Sequence, residues 1–214
     1  AKSRILKKHR YKNNIHYRPH GPGLVCSADF VPIYTTSLGG MRGAWIFVDN
    51  FSGFTCIYPQ PAKGTDGFLE SFKQFQLDSG MRIGDLRSHD SPIILITDGA
   101  SEMRSKAAQA FYRDNKIVHR TSPPGHQNYN SFAERHVRSI KTRTRCLLID
   151  SHFKYCFWPL AMKHACCIEN LLPGKDGVTP FEKQFNVKPD PLNFLPASFG
   201  TRCVAYDTAF DKSQ

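Results

Sequence analysis

The stretch that most constrains this chain is Pro92-Ile-Ile-Leu-Ile96, a continuous apolar run that stops at Thr97-Asp98-Gly99. Apolar at every step rather than at alternate ones, it reads as a strand covered on both faces, which needs a sheet with helices on either side. The segments around it agree. Residues 24–34, 44–48 and 54–58 are apolar and β-prone, and turn residues (Gly39-Gly40, then Asp49-Asn50 to Gly53) separate them, so they predict an antiparallel meander. The period then changes. Phe68, Leu69, Phe72, Phe75 and Gln76 form a helical stripe between Gly64 and Gly80, followed by a polar loop over 81–91.

Past the central run, residues 102–112 can form a helix, 116–119 a short strand and 121–130 a loop rich in Pro, Gly and Asn. From Ser131 a long helix is expected, with Ala133, Val137, Ile140, Thr144 and Leu147 at core spacing. Another helix runs from about Trp158 to Leu172 with Pro159 in its first turn, and Thr179-Pro-Phe-Glu182 opens a short third one. The expected fold class is α/β, a mixed sheet of three antiparallel and two short strands flanked by helices.

Of the 214 residues, 40% are hydrophobic and 22% charged, an ordinary balance for a globular chain with one main core. No apolar run approaches the length of a membrane span, and residues 1–20 do not read as a signal peptide. The net charge of +11 is more telling. Lys2, Arg4, Lys7, Lys8, Arg10, Lys12 and Arg18 crowd the first 20 residues without an acid among them, an arm suited to a polyanion such as nucleic acid or, equally, a solvated linker. The seven cysteines form no C-x-x-C pair, so His9, His16 and His20 lack partners for a zinc module. Reduced core thiols fit their apolar neighbours better than a disulfide framework.

Three acids stand where such a fold places ligands. Asp29 falls within the first strand, and Asp98 ends the buried run, near the carboxyl ends of strands where α/β sites gather. A plain Asp-Gly turn also accounts for Asp98. Glu134 follows with 35 residues between, at the head of the long helix, where Ser131-x-x-Glu134 is also a capping box. With 18 acids in the chain, any position is acidic roughly one time in twelve, so spacing alone decides little. The helix behind Glu134 adds weight. At roughly 100° per residue, Arg138, Lys141 and Arg145 return to within about 40° of it, so one face carries an acid followed by three cations. Acids beside a phosphate-binding track suit a metal-dependent nucleic-acid enzyme, and a solvated basic face is the plainer account. Asp49, between two strands, reads as a structural turn residue.

The sum of these motifs resembles the integrase core of retroviruses and retrotransposons, most of all the copia-type elements. Val25-Cys-Ser-Ala-Asp29, Phe47-Val-Asp-Asn-Phe-Ser52 and the Gly39-Gly40 turn are similar to that family's opening hairpins. Ile96-Thr-Asp-Gly-Ala-Ser-Glu102 resembles its second-aspartate motif, and Ser122 to Arg135, ending Ser-Phe-Ala-Glu-Arg, its loop and glutamate. Trp158-Pro-Leu-Ala161, Asn170-Leu-Leu-Pro173, Thr179-Pro-Phe-Glu182 and Phe199-Gly200 are similar to the copia-type continuation, so the likeness covers roughly residues 20–205. Asn130-Ser131 departs from the family's usual Asn-Gly.

The resemblance implies an RNase H-like fold with Asp29, Asp98 and Glu134 as catalytic residues and ligands of two Mg²⁺ or Mn²⁺ ions, expected about 3.5–4 Å apart. It also implies DNA contacts at Arg138 and Lys141, to which Arg145, Asn130 and Arg135 are added as neighbours in the same motif. The implied function is trimming of DNA 3′ ends and strand transfer into target DNA. DNA and at least one further copy of the chain are its implied partners, with no membrane. It would be made in the cytoplasm as part of a polyprotein and act in the nucleus. Residues 1–20 would be a basic linker, 21–175 the catalytic core, and 176–214 an extension leading to the next polyprotein region, so the chain is expected to be an excised core. The alternatives are a domesticated or decayed core that binds DNA or a partner without catalysis, and a nuclease or transposase of the same fold. A scaffold module would explain neither the acids nor the basic helix face.

Overall fold

The computed structural model describes residues 19–81, 92–121, 131–195 and 197–202. Five strands form one mixed sheet in the order β3-β2-β1-β4-β5. β1 (Val25–Pro32), β2 (Gly43–Asp49) and β3 (Thr55–Gln60) are the antiparallel meander, while β4 (Ile93–Thr97) and β5 (Ile117–Thr121) add on parallel to β1. This is the α/β mixed sheet that the sequence predicts, in the RNase H-like form that the family resemblance implies. The turn at Asp49 behaves as expected of a structural residue. Its carboxylate accepts from Gly23 N (2.6 Å), Phe51 N (3.0 Å), Ser52 N (2.8 Å) and Ser52 Oγ (3.0 Å).

Alternation along β1 and β2 divides the core into two layers. Cys26, Ala28, Trp45 and Phe47 face α1 (Thr65–Asp78) and α2 (Lys106–Asp114), whereas Val31, Ala44, Ile46 and Val48 face α3 (Ser131–Asp150) and α4 (Trp158–Leu171). The stripe on α1 supplies the aromatic filling of the first layer. Phe47 stacks on Phe75 at 5.3 Å, and Trp45 meets Phe68 edge-on at 4.9 Å. Each such ring, fully withdrawn from water, contributes about 2–3 kcal/mol before entropy is set against it. On α3, Ala133, Ile140, Thr144 and Leu148 are buried, and Val137 and Leu147 partly so. Helix α5 (Pro180–Phe185) lays Phe181 and Phe185 against Phe54, and α6 (Pro191–Phe194) is a further single turn of helix that the sequence reading lacked.

Two expectations need correction. The helix expected over 102–112 is two pieces, a 3-10 turn over Ser101–Arg104 and then α2. Ser105 is extended (φ −60°, ψ 158°) and its hydroxyl accepts from Ala108 N, so it caps α2 and ends what precedes it. Nor are the cysteines uniformly core residues. Cys26 and Cys166 are buried, but Cys146 and Cys167 are exposed, and the six described thiols are free. The basic arm up to Arg18, most of the loop over 81–91, and Cys203 lie outside the described residues. Among the described residues, no helix is long and apolar enough to cross a membrane.

Candidate active site

Asp29 and Asp98 come from adjacent parallel strands. Ser27 pairs with Ile96, so each aspartate lies two residues beyond a matched pair and on the α3 side of the sheet. Asp29 is partly buried inside β1, while Asp98, just past β4, is exposed. The Asp98 turn is held by its neighbours. Asp98 Oδ1 accepts from Ala100 N (3.1 Å), and the buried Thr97 hydroxyl accepts from Gly99 N (3.2 Å) and bonds His119 Nε2 (2.8 Å). Gly99 is needed there. Its φ is +74°, and a Cβ would come within 3.1 Å of Thr121.

Glu134, exposed in the first turn of α3, faces the same groove as Asp29 from the helix layer. The other two acids act on Asp29. Burial first, then the charge of Asp98, raise the Asp29 carboxyl from 3.8 to about 6, with Glu134 adding to the rise. A hydrogen bond from the Phe30 backbone and the charge of Lys63 pull the other way without cancelling it. Among the described residues no three His, Cys, Asp or Glu side chains are gathered about one point in a way that would hold a metal ion. The donors are nonetheless of the right kind for a hard divalent cation: oxygen only, with two like charges felt at a half-buried carboxylate that a cation would relieve.

A groove of about 400 Å³ opens from Asp29 and Glu134 along α3, walled further by Arg138, Lys141 and Arg145, and Asp98 does not line it. Helical phase explains the selection, since these positions share one face. None of the three cations has an ion pair among the described residues, whereas Arg143, on another face, bonds Glu169 of α4 at 3.0 Å. Arg135, one residue after Glu134, is exposed but does not line the groove, because one step turns a helix by about 100°. His136 turns inward to Thr55 Oγ1 (3.3 Å), where burial lowers its pKa and favours the neutral ring. Asn130 and the side chain of Ser131 lie outside the described residues, and the proposed capping box with them.

Sequence reasoning missed two groups near the acids. Lys63, after β3, lies 6.0 Å from the Phe30 ring centroid and 3.8 Å from Glu102 Oε2. Glu102 sits four residues past Asp98 in the 3-10 turn, and its backbone carbonyl accepts from Thr65 Oγ1 (3.0 Å). The quoted second-aspartate motif ends on Glu102, so that residue was visible; Lys63 carried no signal.

With this geometry established, known proteins offer a comparison. The chain superposes on the catalytic core domain of the HTLV-2 integrase, solved with magnesium in a trimeric form, with a TM-score of 0.61 at 18% identity. The match covers 78% of this chain and 99% of that one. The fold is that of an integrase catalytic core. A simian T-cell lymphotropic virus intasome, solved in complex with the PP2A regulatory subunit B56 gamma, gives 0.65 at 16% identity, covering 81% of this chain and 58% of that one.

In sequence, the chain is similar to retrovirus-related Pol polyproteins of plant transposons. It is 26% identical to that of TNT 1-94 from Nicotiana tabacum over 66% of its length, and 28% identical to that of RE1 from Arabidopsis thaliana over 68%. These are copia-type elements, so the resemblance to a copia-type retroelement integrase core holds. The matched part spans only about a tenth of those polyproteins (10% and 9%). No protein-family model matches the chain.

Proposed function

We propose that this chain is the catalytic core of an integrase that trims DNA 3′ ends and joins them to target DNA, with Asp29, Asp98 and Glu134 as its catalytic metal ligands. What supports this reading is a groove headed by Asp29 and Glu134, with the charge of Asp98 also felt at Asp29, whose further wall is a row of cations with no ion pair among the described residues. Mg²⁺ or Mn²⁺, held by the three carboxylates as a pair of ions, would activate the attacking oxygen and steady the leaving one. The chain's own part is placement. Arg138, Lys141 and Arg145 hold successive phosphates, so that the backbone entering the groove meets the acids at its end. The Thr97–His119 bond and the Gly99 turn fix where Asp98 stands. Water as nucleophile gives trimming, and a DNA 3′-hydroxyl gives strand transfer. In either case one oxygen replaces another on phosphorus, so no side chain is covalently modified.

DNA is thus the partner, with a second copy of the chain expected beside it. The site of action is the nucleus after synthesis within a cytoplasmic polyprotein. Residues 21–175 serve as the catalytic core, residues 1–20 and 176–214 as its basic linker and extension. The test is joining or nicking of a branched DNA oligonucleotide with Mn²⁺. Activity should disappear in Asp98→Asn and Glu134→Gln. Turnover equal to the unaltered chain in either variant would remove that acid from the site. DNA binding without turnover in the unaltered chain would favour a decayed, binding-only core.

A further inference from the structure

The basic row does not end at the acids' groove. Lys141 and Arg145 also wall a second hollow of about 220 Å³, closed on its other sides by Tyr34, Thr35, Tyr155 and Met162. The two hollows are therefore consecutive along α3. Tyr34, two residues beyond β1, is fully exposed (100%), and Tyr155 is 43% exposed. The backbone carrying these rings is braced: Trp158 Nε1 donates to Thr35 O (2.9 Å), and Leu38 N to Cys156 O (3.3 Å). Among the described residues, no acid lines this hollow.

Two accessible aromatic rings beside two cations that have no ion pair among the described residues make up the elements of a single-strand subsite. Ring faces stack on bases of any sequence, and the cations hold the flanking phosphates. Paired bases keep their faces inside the duplex stack, so the rings are of use only to an unpaired one. An acidic peptide would use the cations but leave the tyrosine faces idle. Resting on the DNA reading above, we propose that this hollow takes an unpaired nucleotide of the strand that runs along α3, its base against Tyr34 and Tyr155 and its phosphates on Lys141 and Arg145.

The test compares fluorescence anisotropy of the intact chain with a blunt duplex and with the same duplex bearing a three-nucleotide overhang. The overhang should bind tighter by about fivefold or more. Tyr34→Ala with Tyr155→Ala should erase that preference while leaving blunt-duplex affinity and its salt slope unchanged. Tyr34→Phe, which keeps the ring, should retain the preference. Equal affinity for both duplexes in the unaltered chain, or a preference that survives the double alanine variant, would overturn the subsite while leaving the DNA reading intact. Failure to bind the blunt duplex at all would overturn both. An acidic peptide whose binding needs both tyrosines would reassign the hollow to a protein partner.

Discussion

Asp49 and Asp29 lie on neighbouring antiparallel strands, and burial raises the pKa of both, yet they are opposites. Asp49 is wholly buried and ringed by donors, which oppose the rise at every oxygen. At Asp29 two further acids compound it, and one backbone hydrogen bond and a distant lysine are all that resist. A carboxylate that has found its partners is part of the fold. One that is left wanting a cation, with two more acids near enough for their charges to be felt, is where a cation-dependent function belongs.

The contrast can be broken most sharply at Asp49. Asp49→Ala would strand Gly23 N, Phe51 N and Ser52 N, whereas Ser52 Oγ keeps Gln184 Oε1 (2.7 Å) as its acceptor. The substitution should cost about 3–5 kcal/mol and lower the melting temperature by roughly 10 °C. A loss under about 1 kcal/mol in thermal unfolding would show that the turn does not depend on it.

At Asp29 the sign reverses. Its folded pKa of about 6 exceeds the ordinary 3.8, so between those values the folded state binds more protons than the unfolded one, and stability falls as pH rises through that window. Asp29→Asn, without divalent ions, should therefore stabilise the chain by about 1–2 kcal/mol above pH 6, after allowance for solvent screening. The gain should fade below pH 4. Melting curves that show destabilisation at pH 7.5 would contradict this.

A smaller effect separates the cations. Arg138→Glu should flatten the salt dependence of DNA binding by about one to two units of slope, whereas Arg135→Glu, off the groove, should change it less. Equal slopes for the two variants would remove Arg138 from the DNA face.

Much of this was legible in the sequence because local chemistry agreed with tertiary placement. The meander was bounded by its own turn residues, and the helix face of Glu134, Arg138, Lys141 and Arg145 followed from 3.6-residue periodicity alone. Asp49 declared itself by its position between two strands. Other features depended on contacts that no local pattern encodes. The break at Ser105 needed its hydroxyl to turn back on Ala108, which competed successfully with a continuous helix. Arg135 was grouped with the DNA contacts by motif adjacency, although its helical phase sends it elsewhere. Lys63 acts on Asp29 only because the chain turns back after β3, and Tyr34 and Tyr155 line one hollow only because the fold brings distant segments together.

The most direct test of the account is a calorimetric titration with Mn²⁺ of the unaltered chain and of Asp29→Asn, Asp98→Asn and Glu134→Gln. If these acids form one cation site, the unaltered chain binds Mn²⁺ and each substitution weakens binding by about tenfold or more. Binding that is unchanged in all three variants, or an unaltered chain that takes up no Mn²⁺, would contradict it.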